Sequence, residues 1–345
     1  MEELKPDARV LVIQTAFIGD AILTLPAIQH IKTLRPAAEI DVVAIPSTAD
    51  VFRRSPSVRE TLVLDKRGAH RSLWGVGNFA RALRRRGYDE LYAPHRSFRT
   101  AFAARLSGAP ARVGFDRSAW RGAYTRLVRY REDWHEVRRN LSLVPEPPEE
   151  WRFRPEIRPT AEEKARVAEF FKEWDLPENA KIVACAPGSV WETKRYPVSD
   201  FNKILRYLAA KDFRTLVVGS PQDRALGEEA TRGAPGARNA AGIFTIAETI
   251  EALARCRVVV ANDSAPTHFG VAADVPTLTL YCSTTPAFGF YPYHDRGARL
   301  SVEPLECKPC GVHGLRRCPI GTFECARRLT PERVIEKLKE TRVLQ

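Results

Sequence analysis

Two stretches of this chain alternate short apolar runs with helix-period segments, and a proline-rich break separates them. That arrangement constrains the fold more than any other feature. The first stretch opens with Arg9 to Thr15, RVLVIQT, a near-continuous apolar run of the kind that forms a buried parallel strand. The turn AFIGD follows, then a helix-period segment from Asp20 to Leu34 with Ile22, Leu23, Leu25, Ile28, Ile31 and Leu34 as its apolar positions. Pro26 is expected in the first turns of that helix, where proline is tolerated. Ile40 to Ile45, Thr61 to Leu64 and a segment near Leu91 read as further strands. A β-α-β-α-β order signals a doubly wound parallel sheet.

Pro145, Pro147, Pro148, Pro155 and Pro159 crowd the segment from Val144 to Thr160, which reads as a linker. The expected division is residues 1–158 and 159–345. Thr160 and Glu163 form a capping box for a helix reaching about Trp174. Lys181 to Ala186, Arg214 to Gly219, Arg257 to Ala261 and Thr277 to Tyr281 read as strands. Between them lie helices over about Val198 to Lys211, Arg224 to Thr231 and Thr245 to Cys256. A last amphipathic helix is expected from Pro331, capped by Thr330, to about Leu344. Ligands of such sheets bind beyond the C-terminal ends of the strands, and two such halves facing each other would form a cleft.

No run of 18 apolar residues is present, and the polar segment Met1 to Asp7 lacks the layout of a secretion signal. A cytoplasmic protein is expected. Residues 66–139 hold 18 Lys and Arg against six Asp and Glu, an excess equal to the +12 of the whole chain. So concentrated an excess points to an anionic partner for the first half, against a merely solvated basic face. The window contains no recognised nucleic-acid module, which argues against a DNA- or RNA-binding protein.

Four segments carry chemistry. In Thr15-Ala16-Phe17-Ile18-Gly19-Asp20, Gly19 permits close backbone approach. Asp20 either acts as a general base on an acceptor hydroxyl or caps the helix. In Ala186-Pro187-Gly188-Ser189-Val190-Trp191-Glu192-Thr193-Lys194-Arg195, the turn, hydroxyls and Lys194 suit a diphosphate cradle. In Ala261-Asn262-Asp263-Ser264-Ala265-Pro266-Thr267-His268, a helix N-terminus and small hydroxyls suit phosphate or sugar oxygens. His268, four residues from Ser264 on one helix face, is a ligand contact or a core histidine. Finally Cys307, Cys310, Cys318 and Cys325, with His313 among them, read as a structural zinc site, reduced buried thiols or redox-linked pairs. Cys185, Cys256 and Cys282 lie in apolar runs and read as buried thiols.

GxGxxG after the first strand, GxxxxGK[ST] and any DxD pair are all missing. The first two would mark a dinucleotide enzyme or a P-loop, the third a metal-held diphosphate. A metal-independent group transfer would have to stabilise its leaving group with Lys194, hydroxyls and helix dipoles. No cofactor is expected.

Taken together, RVLVIQTAFIGDAILTLPAIQ, APGSVWETKRYP, ANDSAPTHFGVAADVPTLTLYCSTTP and the cysteine-bearing tail ending in LTPERVIEKL resemble the ADP-heptose:lipopolysaccharide heptosyltransferases, glycosyltransferase family 9, most closely the heptosyltransferase II type. The resemblance covers nearly the whole chain. It implies a GT-B fold of two Rossmann-like domains with the active site in the cleft. It implies inverting, metal-independent transfer of heptose from ADP-heptose to the phosphorylated inner core of lipopolysaccharide, at the inner-membrane surface. The N-terminal half would bind the acceptor and the C-terminal half the donor. Asp20 matches the family's catalytic carboxylate, and Lys194 the lysine at the donor diphosphate. Gly188, Ser189 and Thr193 lie in the same donor loop, and Asp263, Ser264 and His268 in the later donor block. Asp223 is a candidate for the ribose, and Arg96 and Arg99 for the acceptor. Val190-Trp191 departs from the family pattern, removing a hydroxyl that some relatives carry there.

Overall fold

The computed structural model describes residues 5–174, 176–177 and 179–341. The chain divides into two compact units, Met1–Arg158 and Pro159–Gln345. The first contains β1 (Arg9–Ile13), α1 (Ile18–Leu34), β2 (Glu39–Ala44), α2 (Ala49–Arg53), β3 (Glu60–Val63), α3 (Leu73–Arg84), β4 (Glu90–Ala93), α4 (Phe98–Leu106), β5 (Ala111–Phe115), β6 (Arg126–Val128) and α5 (Glu136–Leu141). The second contains α6 (Ala161–Lys172), β7 (Lys181–Ala186), α7 (Val198–Ala209), β8 (Phe213–Val217), α8 (Arg224–Thr231), β9 (Ala237–Asn239), α9 (Ile246–Leu253), β10 (Val258–Asn262), α10 (Ala265–Ala272), β11 (Thr277–Tyr281), β12 (Ala298–Ser301), α11 (Glu324–Arg327) and α12 (Pro331–Glu340).

Each unit holds one parallel sheet, ordered β3-β2-β1-β4-β5-β6 in the first and β12-β11-β10-β7-β8-β9 in the second. Counted from the first strand of each unit, both read 3-2-1-4-5-6, the doubly wound order. The direction of winding reverses between β1 and β4 and between β7 and β10, so each sheet has one switch point. The central strands are buried on both faces (Val10 to Ile13 and Val258 to Asn262), as the sequence expects of parallel strands.

Several elements differ from the sequence reading. Pro26 sits in the middle of α1, not in its first turns. The helix accommodates it with outside help: the side-chain amide of Asn140 donates to Leu23 O at 3.0 Å, beside the carbonyl that Pro26 leaves without a donor. The proline-rich segment has no regular element, yet it is bound to the first unit. Gln29 of α1 donates to Arg154 O and accepts from Glu156 N, and Arg158 N donates to Arg54 O. The Thr160–Glu163 capping box forms as expected. The final helix is described to Glu340; the expected end at Leu344 lies outside the described residues.

The basic window is partly neutralised by ion pairs. Arg86 pairs with Glu60, Arg117 with Glu132, and the buried Arg139 with Glu136 at 2.9 Å. Cys185, Cys256 and Cys282 are buried thiols, and burial pushes Cys185 up to about 12.

Candidate active site

The switch point of the first sheet gathers the first motif. β1 is followed by Gln14 and Thr15, whose side chains set the turn. Gln14 Nε2 donates to Thr24 Oγ1 at 2.9 Å, and Thr24 Oγ1 donates to Asp20 O at 2.8 Å. Gly19 and Asp20 lie in the first turn of α1, both half-buried. Asp20 Oδ2 accepts from Phe17 N at 3.2 Å, so the carboxylate does cap its helix. Capping engages Oδ2, and it does not by itself bar a carboxylate from base chemistry.

Three side chains around Asp20 escaped sequence reasoning. Lys66, in the loop after β3, donates Nζ to Thr15 O at 2.6 Å. Burial lowers its pKa, and Arg99 and Arg67 lower it further. His95, directly after β4, has Nδ1 within 2.9 Å of both Thr15 Oγ1 and Thr100 Oγ1. Burial, then Lys66 and Arg96, bring it down to about 4, so it is neutral at physiological pH. Tyr130 lies under Arg96, whose guanidinium carbon is 4.0 Å from the ring centroid, and accepts from Arg139 Nη1 at 3.1 Å. Burial raises the Tyr130 pKa, and the charges of Glu136 and Asp20 add to the rise. Arg96 thus faces the same locality as Asp20. Arg99 instead donates to Arg71 O at 2.9 Å, which holds the starts of α3 and α4 together. Position at a strand end was the only signal for Lys66 and His95; Tyr130 gave none.

The switch point of the second sheet gathers the other two motifs. Asn262, the last residue of β10, locks the loop after β7. Its Nδ2 donates to Pro187 O at 2.7 Å, and its Oδ1 accepts from Tyr196 N at 3.0 Å. Ser264 Oγ reaches Gly188 O at 3.3 Å. Lys194 Nζ is 2.7 Å from Asp263 Oδ2, and Thr284 Oγ1 donates to that same oxygen at 2.6 Å. Ser189 is half-buried, and its Oγ accepts from Trp191 N at 3.4 Å.

Gly188 is required by Asp223. A Cβ at Gly188 would stand 2.4 Å from the Asp223 carboxyl carbon, so the two loops meet backbone to carboxylate. Asp223 accepts from Ser220 N at 2.9 Å and Ser220 Oγ at 2.6 Å. His268 is buried on α10, and among the described residues its Nδ1 has no hydrogen-bond partner. Burial and the nearby Lys194 charge hold its pKa down at about 3. The core and ligand readings of His268 therefore merge: a buried neutral ring next to the lysine, with an unfilled polar atom.

Thr193 departs from expectation. Its hydroxyl accepts from Leu315 N at 2.8 Å and donates to Leu315 O at 3.1 Å, so it fastens the cysteine-bearing segment and is not a free ligand donor. Cys310 N donates to Ser283 O at 2.8 Å on the same side. Among the described residues no three His, Cys, Asp or Glu side chains are grouped to hold a metal ion, the four cysteines included. The segment braces the loop that carries Lys194.

Solved structures share this fold. The glycosyltransferase family 9 protein of Veillonella parvula DSM 2008 matches with a TM-score of 0.87 at 23% identity, covering 98% of each chain. The E. coli ADP-heptose lps heptosyltransferase II matches at 0.79 and 22% identity, covering 98% of this chain and 99% of its own. In sequence, lipopolysaccharide heptosyltransferase 2 of Escherichia coli (strain K12) is 23% identical across 96% of this chain and 97% of its own length. The model of glycosyltransferase family 9 (heptosyltransferase) matches residues 76–317, well over half of the sequence. The chain is a glycosyltransferase and belongs to family 9, the heptosyltransferases.

Proposed function

We propose that this enzyme transfers heptose, with inversion, from ADP-heptose to the phosphorylated inner core of lipopolysaccharide, at the cytoplasmic face of the inner membrane. The observation that carries the reading is the Lys194–Asp263 pair at the switch point of the second sheet, flanked by the α10 N-terminus and the Gly188 turn. Cation, helix dipole and close backbone approach there suit a nucleoside diphosphate. Ser189, Ser264 and His268 complete the donor site, and Asp223 serves the ribose. Thr193 acts by holding the loop.

On the first unit, Asp20 takes the proton from an acceptor hydroxyl. That oxygen attacks the anomeric carbon from the face opposite ADP, and the bond to the diphosphate breaks as the new one forms. Lys194 meets the charge that develops on the departing diphosphate, so it acts on turnover more than on donor binding. Arg96 and Lys66 hold acceptor phosphate beside Asp20, with Arg99 behind them. No metal takes part.

The test is ADP release from ADP-heptose with purified inner-core acceptor, in the presence of a chelator. Release that depends on acceptor supports the reading. Tight ADP binding without turnover would move the donor sugar or the acceptor to another of the same type. Turnover abolished by the chelator and restored by a divalent cation would overturn the metal-free mechanism.

A further inference from the structure

A parallel sheet places every following helix N-terminus at one edge. In the first unit that edge carries Asp20, and it also carries an exposed apolar cluster. Leu73 and Trp74, in the first turn of α3, are 47% and 75% exposed, and Phe98, opening α4, is 46% exposed. They form one patch. Arg99 of α4 donates to Arg71 O just before α3, and Phe98 stacks on Trp120 with ring centroids 5.8 Å apart. Phe17, 53% exposed before α1, lies on the same edge. Arg67, Arg71 and Arg121 are exposed around the cluster. Among the described residues none of the three has an acidic side chain within ion-pair distance, unlike Arg86 or Arg117.

Tryptophan and phenylalanine ringed by unpaired arginines is the composition of a bilayer interface, where an amphipathic ring sits at headgroup depth and cations meet anionic lipid. Neither signal alone holds a protein to a membrane; the two together do. We propose that Leu73, Trp74 and Phe98 form a wedge that enters an anionic phospholipid bilayer, with Arg67, Arg71 and Arg121 on its headgroups. This rests on the lipid-borne acceptor of the reading above and adds an orientation to it. The wedge and Asp20 share one sheet edge, so seating the wedge turns the acceptor side of the first unit to the membrane.

The test is co-sedimentation with phosphatidylglycerol-containing vesicles and with pure phosphatidylcholine vesicles, using wild type, Trp74→Ser, Trp74→Phe and the pair Arg71→Ser/Arg121→Ser. The expected result is binding to the anionic vesicles alone, about tenfold weaker for Trp74→Ser and for the arginine pair, and near wild type for Trp74→Phe. Turnover of a deacylated, soluble acceptor should be the same for all four proteins. Wild type that ignores anionic vesicles, that binds both vesicle types equally, or that loses nothing on Trp74→Ser overturns the wedge. So does a dimer in solution that Trp74→Ser dissociates while vesicles go unbound, since the patch is then a protein interface. Vesicle binding without turnover of soluble acceptor would instead overturn the proposed donor or acceptor and leave the wedge standing.

Discussion

Lys194 Nζ sits 2.7 Å from Asp263 Oδ2 with only 14% and 10% of the two side chains exposed. Such a pair is costly to break from one side, because the remaining charge is left buried. Lys194→Met should therefore destabilise the protein by about 3–5 kcal/mol. It should also lower turnover by about two to three orders of magnitude, the usual loss when one transition-state charge contact goes. Adding Asp263→Asn should recover much of the stability and none of the turnover. Urea unfolding and ADP release, measured on the single and double variants, separate the two effects.

Asp20→Asn keeps an oxygen for Phe17 N, so the cap survives while the base is lost. Turnover should fall by about two to four orders of magnitude with ADP affinity unchanged. Asp20→Ala should in addition cost about 1 kcal/mol of stability for the lost cap. Activity of Asp20→Asn within a few-fold of wild type, in a steady-state assay, would leave the carboxylate with its capping role alone.

Two buried histidines set an acid limit. In the folded protein His95 titrates at about 4 and His268 at about 3, both below the ordinary 6.5. As pH falls, the unfolded chain takes up these protons first. The stability that neutral His95 and His268 contribute is complete above about pH 6.5 and declines as pH drops towards 4 and 3, at about 1 kcal/mol per pH unit for each ring. Melting temperatures should fall steadily from pH 6.5 to 5, and His268→Gln should flatten that slope. A slope unchanged by the substitution would contradict it.

Gly314 and Gly311 make a matched pair. Both have positive φ, +80° and +94°, so alanine strains either by about 1–2 kcal/mol. Only at Gly314 would the added Cβ press on Lys194, whose Cγ would lie 2.9 Å away; at Gly311 it meets nothing within 4 Å. Gly314→Ala should cut turnover several-fold, and Gly311→Ala should spare it at similar stability. Equal activities would mean the cysteine-bearing segment does not govern the lysine.

The residues that sequence reasoning found lie where local pattern and tertiary position coincide. β1, β7 and β10 are near-continuous apolar runs, and the Asp20, Gly188 and Asp263 turns follow strands by simple succession. β6 and β9 span three residues each, at sheet edges, too short for any period to register. Lys66 was absorbed into a charge count because a lone lysine in a loop has no local mark; its partner, Thr15 O, is 51 residues away. The Thr193 hydroxyl hides its bond to Leu315 for the same reason. A hydroxyl in a loop looks free until the distant segment that claims it is in place.

That claim spans 122 residues, from Thr193 to Leu315. β12 is the last strand of the second sheet, but the loop bearing Lys194 is braced from beyond it. During synthesis all six strands therefore emerge before the brace of the Lys194 loop, which waits for the last tenth of the chain. A premature stop shortly after β12 would remove that brace together with Leu329, Val334 and Leu338, which pack into the core beneath the second sheet.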